Sequence, residues 1–579
     1  MKNIKEYFSQ TKLEIKKIIG SKLMIVFIAI LLLLSIAAPI LSTLDIFGPR
    51  YYYGYGYMEG ELVVNDITIE DDSIFYWDIY QLTQTKQWLQ DNATSSNDDL
   101  AIELVDILLQ DYLSMANEIK DYQDYRANVV WMRTGNIVDI FIIQHIDVPA
   151  EDMQMILESA NAYYRDPYSV KSQYYDISDE ERQLKLENAQ KDLALSDKII
   201  KYGDHDAYFE YIMGQAQNEI ESMKTEIERL EQSIIDDPSN ESIFNEQIEN
   251  IKQQIKNTEE IRIPIIEYRI ANDIVPGADD WRDTALNSKE GALYDIQYNG
   301  QLKTQEEFEK EEYLKWQYGT YEKYKKAVQK IVDDATNRLQ VAEKSMETGK
   351  PDMQFVEDGS RQKVSNFMWY SLLIAVFAAI FAGGLMAREF QSGTIRLLFI
   401  RPRSRAKIAL SKFFALILIC AGVYAASVIL NLITNGIMFG FSDFGYPNYT
   451  ISSGLRGVGF FAYIMPKLLA CFVVVIFGAS TAYFLSIVTR STALSVSIPL
   501  VAFAGSLIAM QFVGYSEKYS WIVYTPLPYV NMPQILTGSY YSPAGIEPIV
   551  PLGIAMLLVI SVVAIVSSII ILKKRDITN

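Results

Sequence analysis

The residues with most to offer chemically sit in one short stretch, 388–412, which reads REFQSGTIRLLFIRPRSRAKIALSK and lies between two long apolar runs. Six of its residues between 388 and 407 are basic: Arg388, Arg396, Arg401, Arg403, Arg405 and Lys407. Guanidinium groups bind carboxylates and phosphates through paired hydrogen bonds, so the cluster reads as a contact for acidic partner groups or lipid phosphate. Glu389 supplies one carboxylate. Gly393 and Thr394 turn or break a helix, and a threonine hydroxyl can cap the start of a new one. A basic loop between two membrane spans faces the cytoplasm as a rule. Covalent chemistry has no such footing. There is no Gly-x-x-x-x-Gly-Lys-Ser/Thr to cradle phosphate, and Gly349-Lys350-Pro351 lacks both the upstream glycine and the hydroxyl. There is no Gly-x-Ser-x-Gly and no His-Glu-x-x-His, and His145 and His205 are the two histidines, so neither a hydrolase nor a zinc site is expected.

The elements that position this stretch follow from charge and hydropathy. The chain of 579 residues has a net charge of −20, which hides a split. Residues 42–365 hold 65 acidic and 32 basic residues, and the remainder holds 7 acidic and 20 basic. Two opposite charge regimes point to two compartments: a basic, apolar membrane part and an acidic, water-soluble insert. The insert has no cysteine, so it must stand on its own core. Cys420 and Cys471 fall inside apolar runs and read as small packed or lipid-facing residues.

In order, residues 1–21 combine Ile4, Phe8, Ile15, Ile18 and Ile19 with five lysines. This predicts an amphipathic helix lying in the membrane surface, with a plain basic flank as the other reading. Residues 22–41 form a first span, longer than the apolar core of a cleaved signal. The run YYYGYGY at 51–57 reads as an interfacial aromatic anchor. Within the insert, helical periodicity is clearest at 215–235, where Ile220, Ile227 and Ile234 are seven apart, followed by a proline turn and by Ile248, Ile251 and Ile255. The expectation is a coiled-coil helical hairpin over 214–262. Past Pro264 and Pro276 the chain reads as irregular to Gly300, then as helical again. Further spans are expected at 366–387, 411–439, 465–489, 491–513 and 549–572. They are separated by a cytoplasmic loop 388–410, an outer loop 440–464, an outer loop with short helices 514–548, and a cytoplasmic tail 573–579. Alternation puts every basic cluster on the side of the amino terminus and puts 42–365 outside. Lys412 and Lys467, at span ends, are expected to snorkel to the interface. Asn431 and Asn435, one turn apart in the third span, form either a polar patch on a path or a helix–helix contact.

Glu389, Gly393, Thr394, Leu397, Leu398, Pro402, Ser404, Arg405 and Lys412 together resemble the first cytoplasmic loop of ABC-2 type permeases. That loop runs as an acidic residue, a Gly-Thr pair, a Leu pair, Pro-x-Ser-Arg and a lysine entering the next helix. The segment 521–536, WIVYTPLPYVNMPQIL, is similar to the proline-rich outer segment before the family's last span. The resemblance covers roughly the first 41 and last 215 residues; the insert itself resembles nothing, although related exporters also place a large outer domain after the first span. It implies a mainly α membrane protein with six transmembrane helices of the ABC-2, or type V exporter-like, kind plus a large, mostly helical extracytoplasmic domain. It also implies a permease subunit in a bacterial plasma membrane, without enzymatic activity of its own, that exports a peptide, antibiotic-like or lipid-like cargo. Two copies of a separate ATPase, which would bind ATP and Mg, would dock at Glu389, Gly393, Thr394, Arg396, Pro402 and Arg405. A second permease subunit, identical or not, would complete the path, with membrane lipid as the remaining partner and no nucleic acid. The alternative is an ATPase-driven device that acts on the cell envelope or senses it through the outer domain without moving cargo.

Overall fold

The computed structural model describes residues 2–43, 62–69, 73–116, 118–119, 124–162, 169–236, 238–277, 280–356, 358–395, 404–451, 454–513, 517–540 and 547–574. The expected aromatic anchor at 51–57 lies outside them. The chain divides into two compact units, Met1–Tyr51 with Lys350–Asn579, and Tyr52–Gly349. Both are mainly helical, and the described strands form two separate antiparallel hairpins. The chain enters through α1 (Lys2–Ile19) and α2 (Lys22–Thr43).

The second unit opens with β1 (Leu62–Val64) and β2 (Ile67–Ile69), joined by Asn65 and Asp66 at φ 51° and 65°. That left-handed pair is what a tight two-residue hairpin turn requires. Helices α3 (Tyr76–Asn92), α4 (Ser96–Met115), α5 (Tyr125–Gln144) and α6 (Ala150–Ser159) close one core around Ile79, Leu104, Leu108, Val138, Ile142 and Ile156. After α7 (Asp179–Tyr202) come α8 (His205–Asp236) and α9 (Glu241–Asn257), joined by the short turn Pro238–Asn240. Ile220 and Leu230 of α8 and Ile248 and Ile255 of α9 are buried, while Glu221, Lys224, Glu228, Glu249 and Lys252 between them are exposed. The pair is a helical hairpin, with Arg262 bound to Glu219 at its base.

The stretch expected to be irregular is helical: α10 (Ile263–Asn272) and α11 (Trp281–Tyr294) occupy most of it. The proline signal misleads here because Pro264 sits in the first turn of α10, where a missing N–H costs little. The chain passes from α9 to α10 through one widened π turn, Thr258–Arg262, just ahead of that ring. Buried Arg269 and Asp283 then pair at 2.7 Å and lock α10 to α11. Helices α12 (Gln305–Lys310), α13 (Glu312–Tyr318) and α14 (Tyr321–Thr348) complete the unit, and Gly349 ends α14 at φ 63°.

Among the described residues the first unit holds six helices long and apolar enough to cross a membrane, the architecture of a multi-pass membrane protein. They are α2; α15 (Ser360–Asn366) running into α16 (Tyr370–Gln391); α17 (Arg405–Phe439); α18 (Phe460–Thr489); α19 (Thr492–Val513); and, after the short α20 (Met532–Thr537), α21 (Val550–Lys574). The span ending in α16 is the central one: 72% of its most apolar window is buried, against 22% for α2 and for α21. Small residues let its neighbours close in. A side chain added at Gly383 would meet Val496 of α19 at 2.7 Å, and one added at Gly478 of α18 would meet the Ala375 carbonyl at 3.3 Å. Cys420 and Cys471 are both free and buried. The helices outrun their apolar stretches: α17 starts at Arg405, not 411, because Ser404 caps it and the polar first turn continues the helix. Part of the 440–464 connection is a second hairpin, β3 (Pro447–Ile451) with β4 (Leu455–Gly459).

Candidate functional site: two charged joints in the membrane unit

Helix α16 continues past its apolar stretch through Arg388 and Glu389 and ends at Gln391. Gly393, at φ 71°, then reverses the chain. The reversal brings the Thr394 hydroxyl back to donate to Glu389 Oε2 at 2.6 Å, with Ser392 Oγ 2.8 Å from Thr394 Oγ1. Thr394 therefore binds the acid of the helix just ended, and it directly precedes helical Ile395. The other carboxylate oxygen, Oε1, accepts from Lys412 Nζ at 2.9 Å and from Lys17 Nζ at 3.2 Å. Lys412 also approaches Glu14 Oε2 at 3.8 Å.

One carboxylate thus gathers α16, α17 and α1. The Lys412 side chain is only 3% exposed, so its expected snorkelling is corrected: the ammonium turns inward to Glu389. A charge with a carboxylate at hydrogen-bond distance has no need of the interface. Helix α1 rests on the bundle through Ile15 and Ile18, while Lys12 and Lys16 are exposed.

The same end of the bundle collects the other expected residues that are described. Arg405 Nη1 donates to the Leu572 carbonyl at 3.4 Å, which ties the start of α17 to the end of α21. The Arg490 guanidinium lies 5.4 Å over the Phe390 ring, and Thr492 Oγ1 donates to Gln391 Oε1 at 3.2 Å. Glu389, Gly393 and Thr394 are brought together, and Arg405 stands at the head of the next helix. Arg396 and Pro402, with Arg401 and Arg403, lie outside the described residues.

A second charged joint lies at the opposite ends of the same helices, and sequence reasoning missed it. Arg361 on α15 is fully buried. Its Nε donates to Asp443 Oδ1 at 2.8 Å, and its backbone N–H donates to Asp443 Oδ2 at 2.7 Å. Its remaining nitrogens donate to the carbonyls of Pro447 at 2.7 Å and Pro351 at 2.9 Å. Asp352 Oδ2 accepts the Tyr449 N–H at 2.6 Å, and burial pushes this carboxyl above its ordinary value against that bond. Ser360 Oγ donates to the Gly440 carbonyl at 2.6 Å. The signal was available: Asp443 is the one acid in 440–464, and Arg361 is the arginine nearest the start of the following span.

Asn431 and Asn435 are both buried. Asn435 Nδ2 donates to Asn431 Oδ1 at 2.9 Å, and Asn431 Nδ2 donates to the Ser35 carbonyl of α2 at 3.3 Å. Pro39 lies four residues beyond Ser35 and has no N–H to give that carbonyl its usual helical bond, so the amide fills a place the proline leaves open. The bond is a contact between α17 and α2. Tyr370 adds a second tie by donating its hydroxyl to the Leu31 carbonyl. Among the described residues no cluster of His, Cys, Asp and Glu could hold a metal ion.

A family model described as a protein of unknown function (DUF2705) matches residues 342–578. This covers the returning part of the membrane unit, the Arg361 joint, and Glu389, Thr394 and Lys412 of the other joint, but not Lys17 and Glu14 of α1. The uncharacterized protein YhcI of Bacillus subtilis (strain 168) is 26% identical over 223 residues, 36% of this chain and 66% of that protein. No solved structure matches.

Proposed function

We propose that this chain is the membrane subunit of an ATP-driven exporter, with the Glu389–Thr394 turn as the point on which a separate ATPase acts. The observation that carries the reading is the carboxylate of Glu389, held by Lys412, Lys17 and Thr394 where α16 ends. A push on a free loop dissipates in the loop. A push on this turn is delivered to three helices, because one ion cluster fastens them. The resemblance of 388–412 to the ABC-2 loop supports the same assignment. In this reading the basic end of the bundle faces the cytoplasm of a bacterial cell, residues 42–365 lie outside, and the hairpin α8–α9 is a coiled-coil arm. ATP and Mg belong to two ATPase copies, and a second permease chain, the same or different, completes the passage. The cargo class is a peptide, an antibiotic-like molecule or a lipid.

The test is Glu389→Lys. It should leave membrane insertion intact and abolish cargo-stimulated turnover by the ATPase that co-purifies with the wild-type chain. Unchanged co-purification at normal turnover would remove the turn from the mechanism. Labelling of a cysteine introduced beside Arg405 by an impermeant reagent added outside intact cells would invert the proposed orientation.

The second reading, mechanical action on the envelope without transport, is favoured by the Arg361 joint. Arg361, among the last residues of the insert, is pinned by Asp443 and Pro447 to the connection between α17 and α18. A rigid attachment of that kind suits the transmission of force. Cargo accumulating inside sealed vesicles with inverted orientation supports export. ATPase-dependent movement of the insert without cargo flux supports the second reading.

A further inference from the structure

The unit Tyr52–Gly349 carries a groove of about 490 Å³ between the carboxyl-terminal halves of α3 and α6, lined by Gln84, Thr85, Trp88, Glu158, Ser159 and Asn161. Trp88 is 61% exposed and forms a flat apolar plate on one side. The floor is fixed: Asn161, at φ 52°, donates from Nδ2 to the buried Thr85 hydroxyl at 2.7 Å. Gln154 Nε2 donates to Glu158 Oε1 at 3.1 Å and holds that carboxylate on the rim. We propose that this groove binds a neutral glycan, a short run of pyranose rings with one ring stacked on Trp88. This assignment does not rest on the exporter reading.

The argument is by matching surfaces. A pyranose ring has an apolar face of C–H bonds and an equatorial edge of hydroxyls. The groove offers an indole plate edged by an amide, a hydroxyl and a carboxylate, and its volume falls in the range of small-ligand sites. Other ligand classes fit less well. An anion would meet the Glu158 carboxylate, and among the described residues α3 and α6 offer it no free cation: Lys86, the only basic residue of α3, is bound to Asp106 of α4 at 2.6 Å, and α6 has none. A quaternary ammonium calls for several aromatic walls, and among the described residues the lining has one aromatic side chain. A wholly apolar ligand would strand the polar groups of the lining, such as the Gln84 amide and the Glu158 carboxylate.

The test uses the full chain in lipid nanodiscs, so that no sugar-headed detergent competes. Tetramers of N-acetylglucosamine, of β-1,4-glucose and of α-1,4-glucose are titrated by calorimetry, with choline and inorganic phosphate as the other arms. At least one tetramer should bind saturably at millimolar concentration or tighter, and Trp88→Ala should weaken it about tenfold or more. Trp316, on α13, is more exposed still at 82% and does not line this groove, so Trp316→Ala should leave binding unchanged. Gln84→Ala, at an exposed position, should weaken binding without altering the fold and guards against a misfolded Trp88 variant. The proposal is overturned if no tetramer binds below about 10 mM, if Trp88→Ala and Gln84→Ala bind as wild type does, or if choline or phosphate binds in a Trp88-dependent way and the tetramers do not.

Discussion

The two charged joints of the membrane unit use the same chemistry to opposite ends. At one, Arg361 is completely enclosed and each of its donors described meets a carboxylate or a carbonyl fixed in backbone or in a tight turn. At the other, Lys412 is shared between Glu389 at 2.9 Å and Glu14 at 3.8 Å, and the second base on Glu389, Lys17, is 64% exposed. A guanidinium with a rigid fork and saturated partners has one arrangement. A flexible ammonium between two carboxylates has at least two, closer to α16 or closer to α1. The Arg361 joint is built to hold, and the Lys412 joint can change partners at modest cost.

The largest effect is expected where the contrast is sharpest. Arg361→Met leaves Asp443 buried without its cation and should cost about 3–5 kcal/mol, read as a large fall in the unfolding temperature of the purified chain. Lys412→Met should cost less, about 2 kcal/mol, because Thr394 and Lys17 still hold Glu389. If the two substitutions destabilise equally, the distinction between a fixed and an exchangeable joint is lost. A cycle of Lys412→Met and Glu389→Gln should show a coupling of about 1–3 kcal/mol, against near-zero coupling between Lys412→Met and Asp443→Asn. Gly393→Ala is expected to cost about 1 kcal/mol, since φ 71° is strained for alanine although no atom stands in its way. It should slow coupled ATPase turnover more than it lowers stability.

The smallest effect lies in the insert. Glu181 is held below its usual value by the Ser178 N–H and hydroxyl, Asp98 by Thr94 and Ser95, and Glu307 by the Thr304 hydroxyl and N–H. Depressed carboxylates stabilise the fold above the ordinary carboxylate range and lose that contribution as pH falls through their own lowered values. Melts of the full chain followed from pH 6 to pH 3 should therefore show an acid limb that Glu181→Gln makes shallower. A limb unaffected by that change would remove Glu181 as a contributor and leave Asp98 and Glu307 to be tested in the same way.

Much of the architecture was legible because apolar length and periodicity are local properties. The spans, the buried cysteines and the hairpin of Ile220, Leu230, Ile248 and Ile255 all follow from spacing along one strand of sequence. What escaped depends on partners far apart in the chain. Lys412 looks like any lysine at a span end until Glu389 is found at the foot of the preceding helix. Arg361 looks like part of a polar insert until Asp443 closes on it across 82 positions. Pro264 was read as a breaker because composition alone does not say whether a proline stands in the first turn of a helix or in its middle.

The bond from Asn431 to the Ser35 carbonyl ties two residues with no other reason to know of each other. A lineage that replaced Pro39 by an ordinary residue would restore the amide hydrogen that Ser35 lacks and would release Asn431 to drift towards leucine or valine. A lineage that kept the ring would keep the amide. The two sites, 392 positions apart, are thereby joined in inheritance, and a pairing of leucine at 431 with proline at 39 is the combination that descent should leave empty.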